Sequence, residues 1–305
     1  MKKHQKNIIN GWLNINKPVG VTSNDVLFWL KKILSPAKIG HAGTLDPFAC
    51  GVLQVAMGEA TKTIEYAQER QKTYIFTLKF GHETTTEDIE GEPTITSNKI
   101  PSEVELVNIL PSFLGKISQV PPKFSAVKIN GKRAYDLARN NQEFEIKAKF
   151  VQIYSLKLIK TLSKGEFLLE VLCGKGTYVR SLGRDIARKL GSAAHLTTLQ
   201  RTKVGGFAIE DAIILQNKEE SLQMPQECFI SQLKSVDAVL DDIPVLHLGF
   251  EDCARLKNGV QINLKEPVNI GLVRVYDGQK FMAIANNIQT PNNANSVLKP
   301  VKIIH

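Results

Sequence analysis

Apolar residues recur at helical spacing over 22–34 (TSNDVLFWLKKIL), where Val26, Leu30 and Ile33 share one stripe and Thr22 through Asn24 offer caps. The period changes to two over 73–80 (TYIFTLKF), which predicts a strand with Tyr74, Phe76, Leu78 and Phe80 on one face. Ser102 and Glu105 have the spacing of a capping box ahead of Leu106, Ile109 and Leu110, so another helix is expected there. Two β-rich runs, 151–159 and 166–173, flank Ser163–Gly165 and predict a hairpin. Gly174-Lys175-Gly176 then opens a helix through Leu190, with Val179, Leu182 and Ile186 at helical spacing and Gly191 as its stop. Strands and helices without regular βαβ alternation predict an α+β fold. Its central sheet is expected to be largely antiparallel.

Farther along, the polar stretch 216–227 (QNKEESLQMPQE) reads as a linker, and a boundary is expected at Asp241–Pro244. Beyond it, 268–276 and 279–285 predict short strands around an Asp277–Gly278 turn. The expected division is a first domain over 1–242 and a small β-rich module over 243–305, near the lower size limit for independent folding. The Asn-rich stretch Asn286–Asn295 reads as an exposed loop, and no internal repeat is visible.

Composition narrows the class. The chain has 305 residues, 43% hydrophobic and 23% charged, which excludes global disorder. No apolar run is long enough for a transmembrane helix, and the basic N-terminus is not followed by the apolar core of a secretory leader. A cytoplasmic location without membrane attachment is therefore expected. Four cysteines (Cys50, Cys173, Cys228, Cys253) show no C-x-x-C spacing, so neither a disulfide framework nor a zinc site is expected. Lys and Arg total 39 against 30 Asp and Glu, a net charge of +9. Residues 231–305 carry +1 of this and residues 1–230 carry +8. An excess of this kind favours a polyanionic partner that meets the first three quarters of the chain.

Three segments carry candidate chemistry. In 38–53 (KIGHAGTLDPFACGVL), Pro47 biases Asp46 away from helix, placing a carboxylate on a constrained loop beside His41 and small-residue hinges. An Asp-Pro pair also simply closes turns. The context of His41 and the apolar exit Phe48, Val52 and Leu53 is what makes Asp46 a candidate. In 119–149, Lys123, Lys128, Lys132, Arg133, Arg139, Lys147 and Lys149 interleave with Phe124, Tyr135 and Phe144 around an Asn130-Gly131 turn. That pattern fits a segment tracking a phosphate backbone, and 123–149 is expected to be a mobile RNA-binding insertion, with Lys128, Lys132 and Arg133 near its turn. In 173–207, Gly-Lys-Gly-Thr lacks the spacing of a nucleotide-binding P-loop, which excludes that class of NTPase. Tyr178 and Arg180 fall instead in the first turn of a helix that leaves a strand end.

Taken in order, these segments resemble the TruB family of bacterial tRNA pseudouridine-55 synthases over roughly residues 11–210. The matching blocks are NKPVGVTS (16–23), GHAGTLDPFACGVL (40–53), KTYIFTLKFG (72–81), PPKFSAVKINGKRAYDLAR (121–139), GKGTYVRSLGRDIARKLG (174–191) and LQRTKVGGF (199–207). The resemblance implies a pseudouridine synthase fold, an α+β core around a mixed, largely antiparallel central sheet flanked by helices and loops, with a PUA-like C-terminal domain. It implies that uridine 55 in the T-loop of tRNA is flipped out and isomerised, with no cofactor and no metal. Asp46 matches the essential aspartate, Tyr74 the aromatic against the target base, and Arg180 the arginine that pairs with the aspartate. Tyr178 and Leu199 match pocket neighbours, and His41 matches the histidine that helps hold the T-loop open. Lys17, Pro18 and Lys128 match pocket or support positions.

One position departs from the pattern: Thr85, in Thr84-Thr85-Thr86-Glu87-Asp88-Ile89-Glu90-Gly91, stands where the family usually has an acid. The implied partner is the tRNA T-arm, met by a monomer without a protein partner. Two other readings share parts of the pattern. A binding or chaperone module without turnover would not need Asp46 and Arg180. A guide-RNA-dependent synthase would carry Lys-rich extensions and a longer C-terminal part. Whether Asp46 adds to C1′ or removes a 2′ proton stays open at this level.

Overall fold

A computed structural model describes residues 6–129, 131–140, 142–264, 270–289 and 296–305. Among them, strands form a ten-stranded sheet, a five-stranded sheet and two two-stranded hairpins. The main path of the large sheet begins Ile213–Ile214, Gly11–Lys17, Cys50–Met57, Ala194–Val204. It continues through Lys72–Phe80, Glu166–Cys173, Lys149–Ser163 and Gly115–Gln119. Gly11–Lys17 runs parallel to Ile213–Ile214, as does Cys50–Met57 to Ala194–Val204, while the other pairs on this path are antiparallel. The sheet is thus mixed and largely antiparallel.

The strand Lys72–Phe80 lies near the middle, and its alternation decides which way its side chains face. Tyr74, Phe76, Leu78 and Phe80 all enter one core cluster with Val179, Leu182 and Ile186 of the helix Val179–Lys189. Gly183 allows this helix to lie close to the sheet, since a Cβ there would stand 2.5 Å from Leu196 Cδ1 and 2.9 Å from Leu78 Cδ1. The helix begins at Val179 rather than at the glycines, so 174–178 remains a loop at the strand end, with Tyr178 at the cap position. The helix Ser23–Leu34 is closed by a capping box between Thr22 and Asp25, and Val26, Leu30 and Ile33 pack on Leu13, Ile15, Leu53 and Val55. Ser102 and Glu105 form a second capping box at the helix Glu103–Ile109.

Two expectations are corrected. The stretch 216–227 is not a linker: Asn217 caps the helix Lys218–Gln223, and Leu222 and Met224 pack against the cluster under Ser23–Leu34. Its polar residues are the solvent face of a helix too short to show a period. The stretch Asn286–Asn295 is not all loop, because Asn286–Gln289 continues the strand Lys280–Gln289 and Asn287 is fully buried. Residues 290–295 lie outside the described residues, as do Asn130 of the Asn130-Gly131 turn and 268–269 of the first C-terminal run.

The five-stranded sheet runs Val245–Leu248, Gly271–Asp277, Lys280–Gln289, Ser296–Ile303, Ile262–Leu264. Its own core is small, and it shares another. Ile284 is buried in one cluster with Trp12, Phe207, Val239, Leu240 and Ile243. Arg70 donates to the Val239 carbonyl at 2.8 and 3.1 Å and pairs with Asp241 and Asp242, and Lys62 Nζ donates to the Ile303 carbonyl at 2.7 Å. A module of this size gains from burying apolar surface it could not cover alone.

Candidate active site

Asp46 lies on the connection between the antiparallel strands Ile39–His41 and Cys50–Met57. The connection is pinned from several sides. Ser23 Oγ accepts from the Leu45 N–H at 2.9 Å and donates to the Leu45 carbonyl at 3.2 Å. The Pro47 carbonyl accepts from the Gly20 N–H at 2.8 Å, and Leu45, Phe48 and Ala49 are buried in the core that contains Tyr74. Beneath the loop, Lys17 is fully buried and its ammonium donates to the carbonyls of Pro18 (2.8 Å), Val21 (2.7 Å) and Pro47 (3.4 Å). Burial lowers its pKa from 10.5 to about 8. The Asp46 side chain itself remains one-third exposed.

Arg180, one residue into its helix, joins three segments. Its Nε pairs with Asp46 Oδ2 at 2.9 Å and its Nη1 lies 3.5 Å from Asp88 Oδ2. Nη1 also donates to the Thr86 carbonyl at 2.8 Å, and Nη2 to the Phe124 carbonyl at 2.9 Å. The guanidinium is almost wholly buried, so these bonds fix its plane. Asp88 is buried too, and desolvation raises its pKa despite Arg180 and a Thr86 hydroxyl bond at 2.5 Å. The Thr84–Gly91 turn is held against the same helix by Glu87, which accepts from Ser181 Oγ at 3.0 Å and pairs with Arg184.

Opposite Asp46, strand pairing sets Arg201 beside Tyr74 and Leu199 beside Phe76. Burial raises the Tyr74 pKa, and the Arg201 charge opposes that rise. These groups enclose a cavity of about 280 Å³ lined by Asp46, Tyr74, Tyr178, Arg180, Leu199 and Arg201, with Lys72, Lys175 and Ser125 at its sides. A volume near 300 Å³ is at the small end for ligand sites and suits a single nucleoside. The lining thus combines aromatic rings with a carboxylate held by a guanidinium. Such an arrangement can stack a planar base and hold an anionic group beside its sugar. Among the described residues, no cluster of three His, Cys, Asp or Glu side chains could hold a metal ion.

Comparison with known proteins bears on what binds there. Residues 31–179 match the model of the TruB family pseudouridylate synthase N-terminal domain. A tRNA pseudouridine synthase B of Caulobacter vibrioides is 42% identical over 86% of this chain and 84% of its own length. That of Ehrlichia chaffeensis is 40% identical over 97% of this chain and 99% of its own. The chain belongs to the TruB family. Among solved structures, a chain of a Cbf5-Nop10-Gar1 complex has a TM-score of 0.71, covers 96% of this chain and 84% of its own, and is 25% identical. A chain of an H/ACA RNP bound to a substrate RNA containing 2′-deoxyuridine has a TM-score of 0.71 at 22% identity, over 97% of this chain and 85% of its own. The fold is that of the pseudouridine synthases.

Within this TruB chain, Asp46, Tyr74, Tyr178, Arg180 and Leu199 meet around one cavity. Six other residues named from the sequence do not line it, among them Pro18, whose carbonyl accepts from Lys17. Lys17 is a buried clamp under the Asp46 loop rather than a surface that substrate could touch. His41 is half-buried on its short strand, with Nδ1 unpartnered and a pKa lowered by burial and by Arg201. Lys128, Lys132 and Arg133 are exposed on a two-stranded hairpin in which Lys128 pairs with Arg133. The insertion still reaches the cavity, because Ser125 and Ala126 line it and Phe124 accepts from Arg180.

Thr85, the position noted as a departure from the sequence pattern, accepts a bond from the Glu92 N–H at 3.2 Å, so a hydroxyl oxygen closes the turn there. The reading of residue types missed Arg201, Lys72 and Asp88. Arg201 stands inside the quoted LQRTKVGGF block, where no residue type around it marks it as buried; the fold alone shows that it is. Lys72 donates to the carbonyls of Gln68 (2.8 Å) and Arg70 (2.6 Å), and burial lowers its pKa to about 8.

Proposed function

We propose that this protein isomerises uridine 55 in the T-loop of tRNA to pseudouridine, acting alone on the T-arm as a cytoplasmic monomer. One observation carries the reading. In a TruB-family chain, a carboxylate paired at 2.9 Å with a buried arginine lines the same nucleoside-sized cavity as Tyr74.

The chemistry follows from what each group can do there. The target base must leave its stack, at a cost of a few kcal/mol (roughly), which stacking on Tyr74 and phosphate contacts offset. Leu199 supplies an apolar surface beside the ring. Asp46, at the edge of the cavity, acts at the sugar while the glycosidic C1′–N1 bond breaks and the C1′–C5 bond forms. Arg180 pairs with that carboxylate and aims it, with Asp88, Thr86 and Phe124 holding the guanidinium itself. The reaction is an isomerisation, so it consumes no redox equivalent and no activated donor.

Residues 123–149 bind RNA in this reading. Lys128, Lys132 and Arg133 contact phosphates as the insertion closes over the T-arm, and closure would be felt at Arg180 through the Phe124 carbonyl. His41 supports the opened loop, and Lys17 acts from below by fixing the Asp46 loop. The sheet that begins at Val245 fits the PUA-like domain expected over 243–305.

The test uses the purified protein alone on an unmodified T-arm transcript, read by pseudouridine mapping. Conversion at the single T-loop uridine is expected. No conversion by the protein alone, with conversion on addition of a guide RNA, would overturn the stand-alone reading.

A further inference from the structure

Arg201 is one of the largest fully buried side chains of the protein, yet it lines the cavity. Its Nε donates to the Val52 carbonyl at 2.7 Å and its Nη2 to the Gly43 carbonyl at 3.0 Å. Nη1 passes close to Gly43 as well, 3.5 Å from where a Cβ would stand, so the arginine lies against the backbone that leads into the Asp46 loop. On the neighbouring strand its direct partner is Tyr74, so the two side chains stand side by side on one face of the sheet, and both line the cavity. Among the described residues, no carboxylate forms an ion pair with it.

A guanidinium buried without a counter-charge is costly, and two carbonyl bonds alone could be made by a neutral donor. The charge nevertheless acts on what surrounds it. It opposes the burial that raises the Tyr74 pKa, and it adds to the burial that lowers those of Lys72, His41 and Lys17. Its position also joins two things that the reaction must hold in register, the tyrosine against the base and the loop that bears the carboxylate.

We infer that Arg201 is a positioning residue, which aims the Tyr74 hydroxyl at the flipped base and ties it, through Gly43, to the Asp46 loop. The inference rests on the proposed isomerisation of a flipped uridine. In it, Arg201 touches Tyr74 and the loop, and acts on the reaction through them.

A double-mutant cycle with single-turnover pseudouridine formation at saturating enzyme tests this, using Arg201→Met, Tyr74→Phe and the pair. Arg201→Met is expected to lower the saturated rate by about tenfold or more while T-arm affinity changes by less than about threefold. In the Tyr74→Phe background the same change should cost no more than about twofold, because the hydroxyl that Arg201 holds is already gone. Arg201→Lys, which keeps the charge but lacks the second donor arm, should fall between wild type and Arg201→Met.

Independent effects, multiplying in the double variant, would overturn the inference. So would a loss confined to affinity. Should the Arg201 variants fail to fold, Tyr74→Phe decides alone. Removing the hydroxyl leaves a buried donor without its acceptor and should lower the melting temperature by about 2–4 °C. An unchanged or higher melting temperature would overturn the pairing. A wild-type protein that converts no uridine would sink the proposed function instead, and the melting comparison would still report on Arg201 and Tyr74.

Discussion

Replacing Arg180 by Met removes four contacts at once, and their costs differ. Asp46 is one-third exposed, so water takes up most of what its carboxylate loses and its share of stability is small. Asp88 is 3% exposed at its side chain, and without Arg180 it becomes a buried carboxylate with only hydroxyl and backbone partners. Breaking a buried pair from one side costs about 3–5 kcal/mol, and the carbonyls of Thr86 and Phe124 lose donors as well. Urea unfolding should therefore show Arg180→Met destabilised by about 3–5 kcal/mol.

Asp88→Asn placed on top removes the stranded charge, and should recover about half of that loss. It should recover none of the activity, because Asp46 remains unpaired. The saturated single-turnover rate is expected to fall at least about a hundredfold in both variants, equivalent to about 2.7 kcal/mol. A rate for Arg180→Met within about tenfold of wild type would refute the claim that this arginine orients Asp46. A double variant no more stable than the single would refute the assignment of the cost to Asp88.

Asp46→Asn keeps the shape and removes the charge, so turnover should vanish while T-arm binding, followed by filter retention, persists; clean single-turnover product from this variant would remove Asp46 from the chemistry. Lys132→Ala with Arg133→Ala should weaken T-arm affinity and flatten its dependence on salt, by about 0.7–0.9 in log–log slope per lost phosphate contact, with the saturated rate little changed. Intact affinity with a collapsed rate would instead place the hairpin in catalysis. Lys17 has a folded-state pKa of about 8 against 10.5 for the ordinary group, so below pH 8 both states hold the proton and the folded state bears the burial cost. Between those values the folded state releases its proton first, and stability relative to Lys17→Met should rise with pH, by up to about 3 kcal/mol. Flat or falling stability relative to that variant across the window would mean that the Lys17 ammonium is not desolvated as the fold shows.

The elements that hold the site were legible in the chain because their signals are local. Alternation over 73–80 placed Tyr74 on the same face as Phe76 and Leu78, and Thr22 through Asn24 marked a helix start, of which Thr22 is the cap. Pro47 constrained Asp46 from the next position, and the ordered blocks of the TruB pattern pointed to Arg180 as its partner before any distance was known. The loop 174–178 and the helix Lys218–Gln223 were misread for a related reason: each is shorter than the window over which a period can be seen.

What the tertiary structure decided is which distant groups share a buried charge. Lys17 reads as a substrate contact until the chain folds and turns its ammonium onto the Pro47 carbonyl, 30 residues away. Arg180 meets Thr86 and Phe124 from 94 and 56 positions along the chain, and Arg201 meets Val52 from 149. No periodicity or cap links residues so far apart. The order of strands in the sheet does, and a buried cation must take whichever carbonyls and hydroxyls that order brings to it.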